Sequence, residues 1–175
     1  VNGSGTNVAH IFSSSDLVSI LAPKVSISQG VTDTGFFEID INGSLNKLLL
    51  NNIMEEVDIR TADAPAKAMN IKVNAIDNNV SFDLVGTVKS FQAASYDSGA
   101  LTASRIDKLK ISSGSFGANV IADSTMDGNI KTVTVKGDIS GTIRAQNIKT
   151  VKALNLNQAL ISAQNSIGTV NIKNN

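Results

Sequence analysis

The 175-residue chain carries 15 basic and 15 acidic side chains, so its formal net charge is zero, and it has no Cys, no Trp and a single His. These figures exclude a disulfide framework and a thiolate metal site, leave zinc too few ligands, and remove the general attraction that nucleic acid exerts on a basic protein. Only 17% of residues are charged and 4% aromatic, while 19 Asn, 20 Ser and 12 Thr fill their place; an ordinary domain is about 25% charged. No run of 18 apolar residues is present, so no membrane span is expected. No signal peptide is visible, and the start at Val1 fits a processed or excised segment.

In chain order, residues 1–35 show no repeat and read as an N-terminal cap or lead-in. Gly3-Ser-Gly-Thr6 is a flexible start. Ser15-Asp16 either caps a short helix through Leu17, Val18, Ile20 and Leu21, stopped before Pro23, or precedes a buried strand; so short a run leaves both open. Phe36, Ile39 and Ile41 alternate as a strand. Ile53, Val57 and Ile59 read as another, as do Met69, Ile71 and Val73, then Val80, Phe82 and Leu84, with Pro65 in a loop.

A repeat runs through the rest. Its core is an apolar residue, two residues, apolar, one residue, apolar: Leu45-x-x-Leu48-x-Leu50, Ile106-x-x-Leu109-x-Ile111, Ile130-x-x-Val133-x-Val135 and Ile167-x-x-Val170-x-Ile172. Looser copies begin at Val85 (with Val88 central) and at Ile148 (with Val151 central). From Val88 the central residue recurs after 21, 24, 18 and 19 residues. A second element keeps step: Leu101-x-Ala103, Val120-x-Ala122, Ile143-x-Ala145 and Ile161-x-Ala163. Units of this length, rich in Ile and Val and almost free of Pro, fit one coil of a β-solenoid; helical repeats are longer and use different residues.

The expected fold is all-β: a right-handed parallel β-helix of roughly seven coils over residues 36–175, each of about 18–24 residues. Coils stack about 4.8 Å apart, so equivalent residues form ladders. Ile130, Ile148 and Ile167 would form one inward ladder, Val133, Val151 and Val170 another, and the Ala residues would line a tight corner. Asn129, Asn147 and Asn165 would stack at a turn, Thr132, Thr150 and Thr169 would line up outside, and Asp123–Asn129 would loop outward. Low charge and few rings suit a ladder, where like charges repel and bulky rings crowd a narrow interior.

Asn129-Ile-Lys-Thr-Val-Thr-Val-Lys-Gly-Asp-Ile-Ser-Gly-Thr-Ile-Arg-Ala145 and Ser166-Ile-Gly-Thr-Val170 resemble the β-strand repeats of large bacterial surface and secreted proteins of the planctomycete type, and Gly30–Gly43 resembles the strand pair that often precedes them. The resemblance covers residues 30–175, most sharply 104–172. It implies a parallel β-helix in an extracellular or envelope setting, and no reaction. Bactofilins share a short Gly-Asp-Ile phrase but have more regular coils.

Parallel β-helices also host polysaccharide lyases and hydrolases, which need paired carboxylates or a calcium-binding acid cluster beside a base. The densest acidic group is Glu55, Glu56 and Asp58 beside Arg60; it is expected to be a solvated strand end. The acids of Asp123–Asn129 match no known calcium loop and read as surface. Lys131 and Lys149, with Lys108, Lys110, Lys136 and Lys152 nearby, suggest either solubilising charge or a mildly basic face for an acidic glycan. His10 has no catalytic partner in view. Sequons at Asn2, Asn42 and Asn79 are permissive only. No catalytic, cofactor-binding or metal-binding residue is therefore assigned.

Because terminal repeats normally carry a cap and none follows Ile172, two partners are expected: neighbouring domains of a longer chain, or further copies stacked end to end. The function read from the sequence is a non-enzymatic structural module of a bacterial extracellular or cell-surface assembly, such as a matrix or filament. A carbohydrate-binding or adhesive module is the alternative, and a polysaccharide-degrading enzyme the second.

Overall fold

An apolar residue that recurs once per coil is buried only if consecutive coils stack, and the computed structural model of the chain has that arrangement. It describes residues 10–24, 37–54, 57–77, 79–122 and 127–173. These contain no helix. In chain order the strands are β1 (His10–Ser13), β2 (Leu17–Ala22), β3 (Phe37–Ile41), β4 (Leu45–Leu50), β5 (Asn52–Ile53), β6 (Val57–Thr61), β7 (Met69–Lys72), β8 (Ala75–Ile76), β9 (Val80–Ala93), β10 (Ser95–Tyr96), β11 (Gly99–Ile111), β12 (Asn119–Ala122), β13 (Asn129–Val135), β14 (Thr142–Ala153) and β15 (Leu160–Ile172).

All these strands pair in parallel, and each coil has three sides. The first side runs β1, β3, β6, then the first halves of β9 and β11, then β12 and the first halves of β14 and β15. The second runs β2, β4, β7, the second halves of β9 and β11, then β13 and the second halves of β14 and β15. The third is short: β5, β8 and β10 pair, and single bridges carry it on from Tyr96 to Phe116, Ile139 and Leu156. Six coils are described on all three sides, and a further coil at each end of the stack is described on its first two.

The expected ladders form. Ile130 pairs with Ile148 and Ile148 with Ile167; Val133 pairs with Val151 and Val151 with Val170. Thr132, Thr150 and Thr169 stack in the same way. Ala103, Ala122 and Ala145 are buried beside the corner between the first two sides, where the ladder slips at Ala103/Arg105 and again at Ala145/Asn147. Coils approach closely at the corner that opens the first side: a Cβ on Gly99, at φ +117°, would lie 2.1 Å from the Val80 carbonyl oxygen, so only glycine fits there.

Four expectations need correction. The helix option for Leu17–Leu21 does not form: Leu17, Ile20 and Ala22 stack on Leu45, Leu48 and Leu50. Asp16 accepts hydrogen bonds from the Ser44 N–H (2.8 Å) and hydroxyl (2.9 Å) of the next coil rather than capping a helix. Residues 10–22 thus carry the pattern of the stack, although they were set apart in the sequence. The Val85 copy is displaced by three residues: Val88 pairs with Ile106, and Phe91 takes the central position opposite Leu109. Ile53 and Val57 belong to different sides, as β5 and β6.

The fourth concerns aromatic rings. They do not avoid the interior; Phe82, Phe91, Tyr96 and Phe116 are all buried in the middle coils. Phe82 meets Phe91 edge-on at 5.1 Å between ring centres, and Tyr96 stacks on Phe91 at 5.8 Å and meets Phe116 at 5.9 Å. The Tyr96 hydroxyl lies 2.6 Å from the Val80 carbonyl and 2.7 Å from that of Ala100, which satisfies its polar end.

Candidate functional site

Outward residues of stacked coils come into contact at every coil step, and a connected polar group lies where the second side begins. Arg105 donates to Asp107 (2.9 Å) and to Asp127 (2.5 Å), and Lys131 donates to Asp107 (2.9 Å). Asp127 also accepts from the Asn129 amide. Asn147 donates to Asn129 (2.8 Å), and Ser166 donates to Asn147 (2.8 Å). Burial pushes the Asp107 carboxyl up, but Lys131 and Arg105 outweigh it and hold it below the ordinary carboxylate range. Asp127 and then Asp107 raise the Arg105 guanidinium further. All of these groups are partly exposed, so each pair adds little to stability.

The ladder encloses a shallow groove of about 350 Å³ whose walls include Arg105, Asn129, Lys131, Asn147, Lys149 and Ser166. Gly168 stacks in register with Lys149 and leaves that end open. Lys149 makes no ion pair among the described residues. The expected asparagine ladder is therefore real at Asn129 and Asn147, but its third member is Ser166. The corner after Ala145 holds one extra residue in the last coil, so Asn147 pairs with Ser166 and not Asn165. The other lysines do not join this line: Lys108 stacks with Thr132, and Lys110 and Lys152 with Thr134.

Of the acidic group, Glu55 and Glu56 lie outside the described residues, as do 123–126 of the Asp123–Asn129 segment. Asp58 and Arg60 share the outer face of β6, as alternate strand residues must. Arg60, half exposed, bridges Asp58 (2.6 Å) and Glu38 of the preceding coil (3.4 Å). His10 stands in β1, and Asn42 and Asn79 are exposed. Among the described residues no three His, Asp or Glu side chains gather where a metal ion could be held.

Two further polar contacts, on the third side, were also not foreseen in the sequence. Asn74 donates to Asn52 (2.9 Å), a rung at the start of the third side. At its far end Asp97 lies beside Asp77; burial and then that like charge raise its carboxyl. The only signal for either was the coil spacing of Asn52 and Asn74, or of Asp77 and Asp97. Among the described residues no arrangement places a nucleophile beside a base, or two free carboxylates across a cleft.

Fold and surface together define a three-sided parallel β-solenoid with a polar, shallow-grooved exterior. No protein-family model, curated protein or solved structure matches the chain.

Proposed function

We propose that the protein is a non-enzymatic structural module of a bacterial extracellular or cell-surface assembly. One observation carries this reading: the inward ladders run without interruption through six coils, with residues such as Leu48, Ile71, Phe91, Leu109, Val133 and Val151 at 0–2% exposure, while the outside, among the described residues, offers grooves but no assembled acid–base pair. A hydrogen-bonded stack of this kind resists bending and serves as a spacer or building block. The likeness of residues 104–172 to bacterial surface repeats supports the extracellular setting. A second reading, a module that holds an acidic glycan, is favoured by the open groove beside Lys149.

The test is incubation of the purified protein with neutral and acidic polysaccharides, together with antibody labelling of intact source cells. Surface labelling with no new reducing ends and no unsaturated uronide is the expected result. Polysaccharide cleavage above the buffer rate, or exclusively internal labelling, overturns the reading. Saturable binding of an acidic polysaccharide that is lost in Lys149→Glu would replace it with the second.

A further inference from the structure

The formal charge of zero hides a separation between the sides of the coil. The strands of the second side carry nine Lys or Arg and a single acid, Asp107, which Arg105 and Lys131 already hold. The strands of the first side carry four acids and two Arg. A face of one sign attracts polymers of the other even when the whole chain is neutral.

Three of these lysines are also in phase. Followed through six consecutive coils, one outward line of the second side reads Lys72, Gln92, Lys110, Thr134, Lys152 and Asn171. Lysine therefore stands at every second coil, about 9.6 Å apart along the axis, with an amide or a hydroxyl between. Lys72 and Lys152 are exposed and Lys110 is half-buried. Among the described residues none of the three makes an ion pair. A groove of about 300 Å³ runs beside the line where the second side meets the third; its walls include Leu49, Lys72, Asn74, Gln92, Lys110 and Ser112.

We propose that this line binds a linear acidic glycan, laid along the solenoid axis with a carboxylate or sulfate facing the protein at every second sugar. An extended sugar ring advances its chain by about one coil step. Acids on alternate rings then meet Lys72, Lys110 and Lys152, while the rings between offer hydroxyls to Gln92 and Thr134. Other polyanions fit this spacing less well. Acids on one face of an extended peptide recur about every 6.8 Å, and duplex nucleic acid carries a charge about every 1.7 Å. Phe91, the one aromatic residue in the strands of the second side, is buried, so bases find no ring to stack on. The proposal names the polymer that the structural module holds, and it rests on the non-enzymatic reading in that the polymer is bound and not cut.

The test is calorimetric titration of the 175-residue chain with hyaluronan, whose carboxylates stand on alternate rings. Saturable binding that weakens with salt is expected, with neutral dextran inert and polyglutamate and duplex DNA at least about tenfold weaker. The decisive variant exchanges two neighbours on the line, Lys110→Thr together with Thr134→Lys. It keeps the net charge but breaks the alternation, and should weaken binding about tenfold, the loss of one charge pair. Replacing all three lysines, Lys72→Gln, Lys110→Gln and Lys152→Gln, should abolish binding, whereas Lys149→Glu should keep it. Circular dichroism should show every variant folded, since all these side chains point outward. Absence of hyaluronan binding overturns the proposal. So does equal affinity for the exchange variant, for polyglutamate or for DNA, which marks unselective attraction to charge. Loss in Lys149→Glu with the triple variant unaffected also overturns it and moves the site to the groove beside Lys149. Cleavage is read separately, as new reducing ends; it overturns the non-enzymatic reading and leaves the location of binding to the variants.

Discussion

Ile148 and Ile167 are the same residue type in the same position of consecutive coils, and one is 1% exposed while the other is 40% exposed. The contrast between the middle of the stack and its last coil shows that burial in a solenoid is supplied by the coil above and below, not by the residue. The middle also differs in content. Its interior holds a ring cluster of Phe82, Phe91, Tyr96 and Phe116, whereas the buried core from Ile130 onward is Ile, Val and Ala.

Three substitutions sharpen this difference. The largest effect is expected in the ring cluster: Phe82→Ala removes a buried ring that touches both Phe91 and Tyr96 and should cost about 3–5 kcal/mol. Urea denaturation would show it as a large fall in midpoint. Next, Ile148→Ala should cost about 2–4 kcal/mol, but Ile167→Ala under about 1 kcal/mol in the isolated chain, because much of its side chain already meets water. Equal losses at the two positions would show that the last coil is covered.

The smallest effect is electrostatic. Asp97 is raised by burial and then by Asp77, so the protonated form is the favoured one in the fold. That contribution is complete below the ordinary value of 3.8 and lost as pH rises through the higher folded value. Asp97→Asn should therefore melt slightly above the parent at neutral pH and lose this advantage on acidification. Asp107 has the opposite sign, since its value is lowered; its contribution is present above 3.8 and fades as pH falls. Asp107→Asn should accordingly cost stability at neutral pH and little in acid, as followed by thermal melts across the pH range.

The C-terminal coils were legible because two patterns, one around Val133 and one around Ala145, recur in phase. Residues 10–22 were not, because His10 and Glu38 are paired across 28 residues, a longer step than the other coils use. The Val85 copy misled for a related reason: Val85, Val88 and Phe91 imitate the repeat, and only pairing with Ile106 and Leu109 reveals the shift. The ring cluster had no linear signature at all, since its members lie at 82, 91, 96 and 116 and meet only inside the stacked coils.

Of the candidate site, Asn129 and Asn147 could be read as a ladder from their 18-residue spacing, but Ser166 and the Arg105–Asp127 pair could not. The amino-acid order alone determined what must point inward, because apolar residues at a constant coil position have nowhere else to avoid water. Which outward side chains meet was decided by the folded stack. Their neighbours lie one coil away, and a single extra residue at a corner is enough to exchange one partner for another.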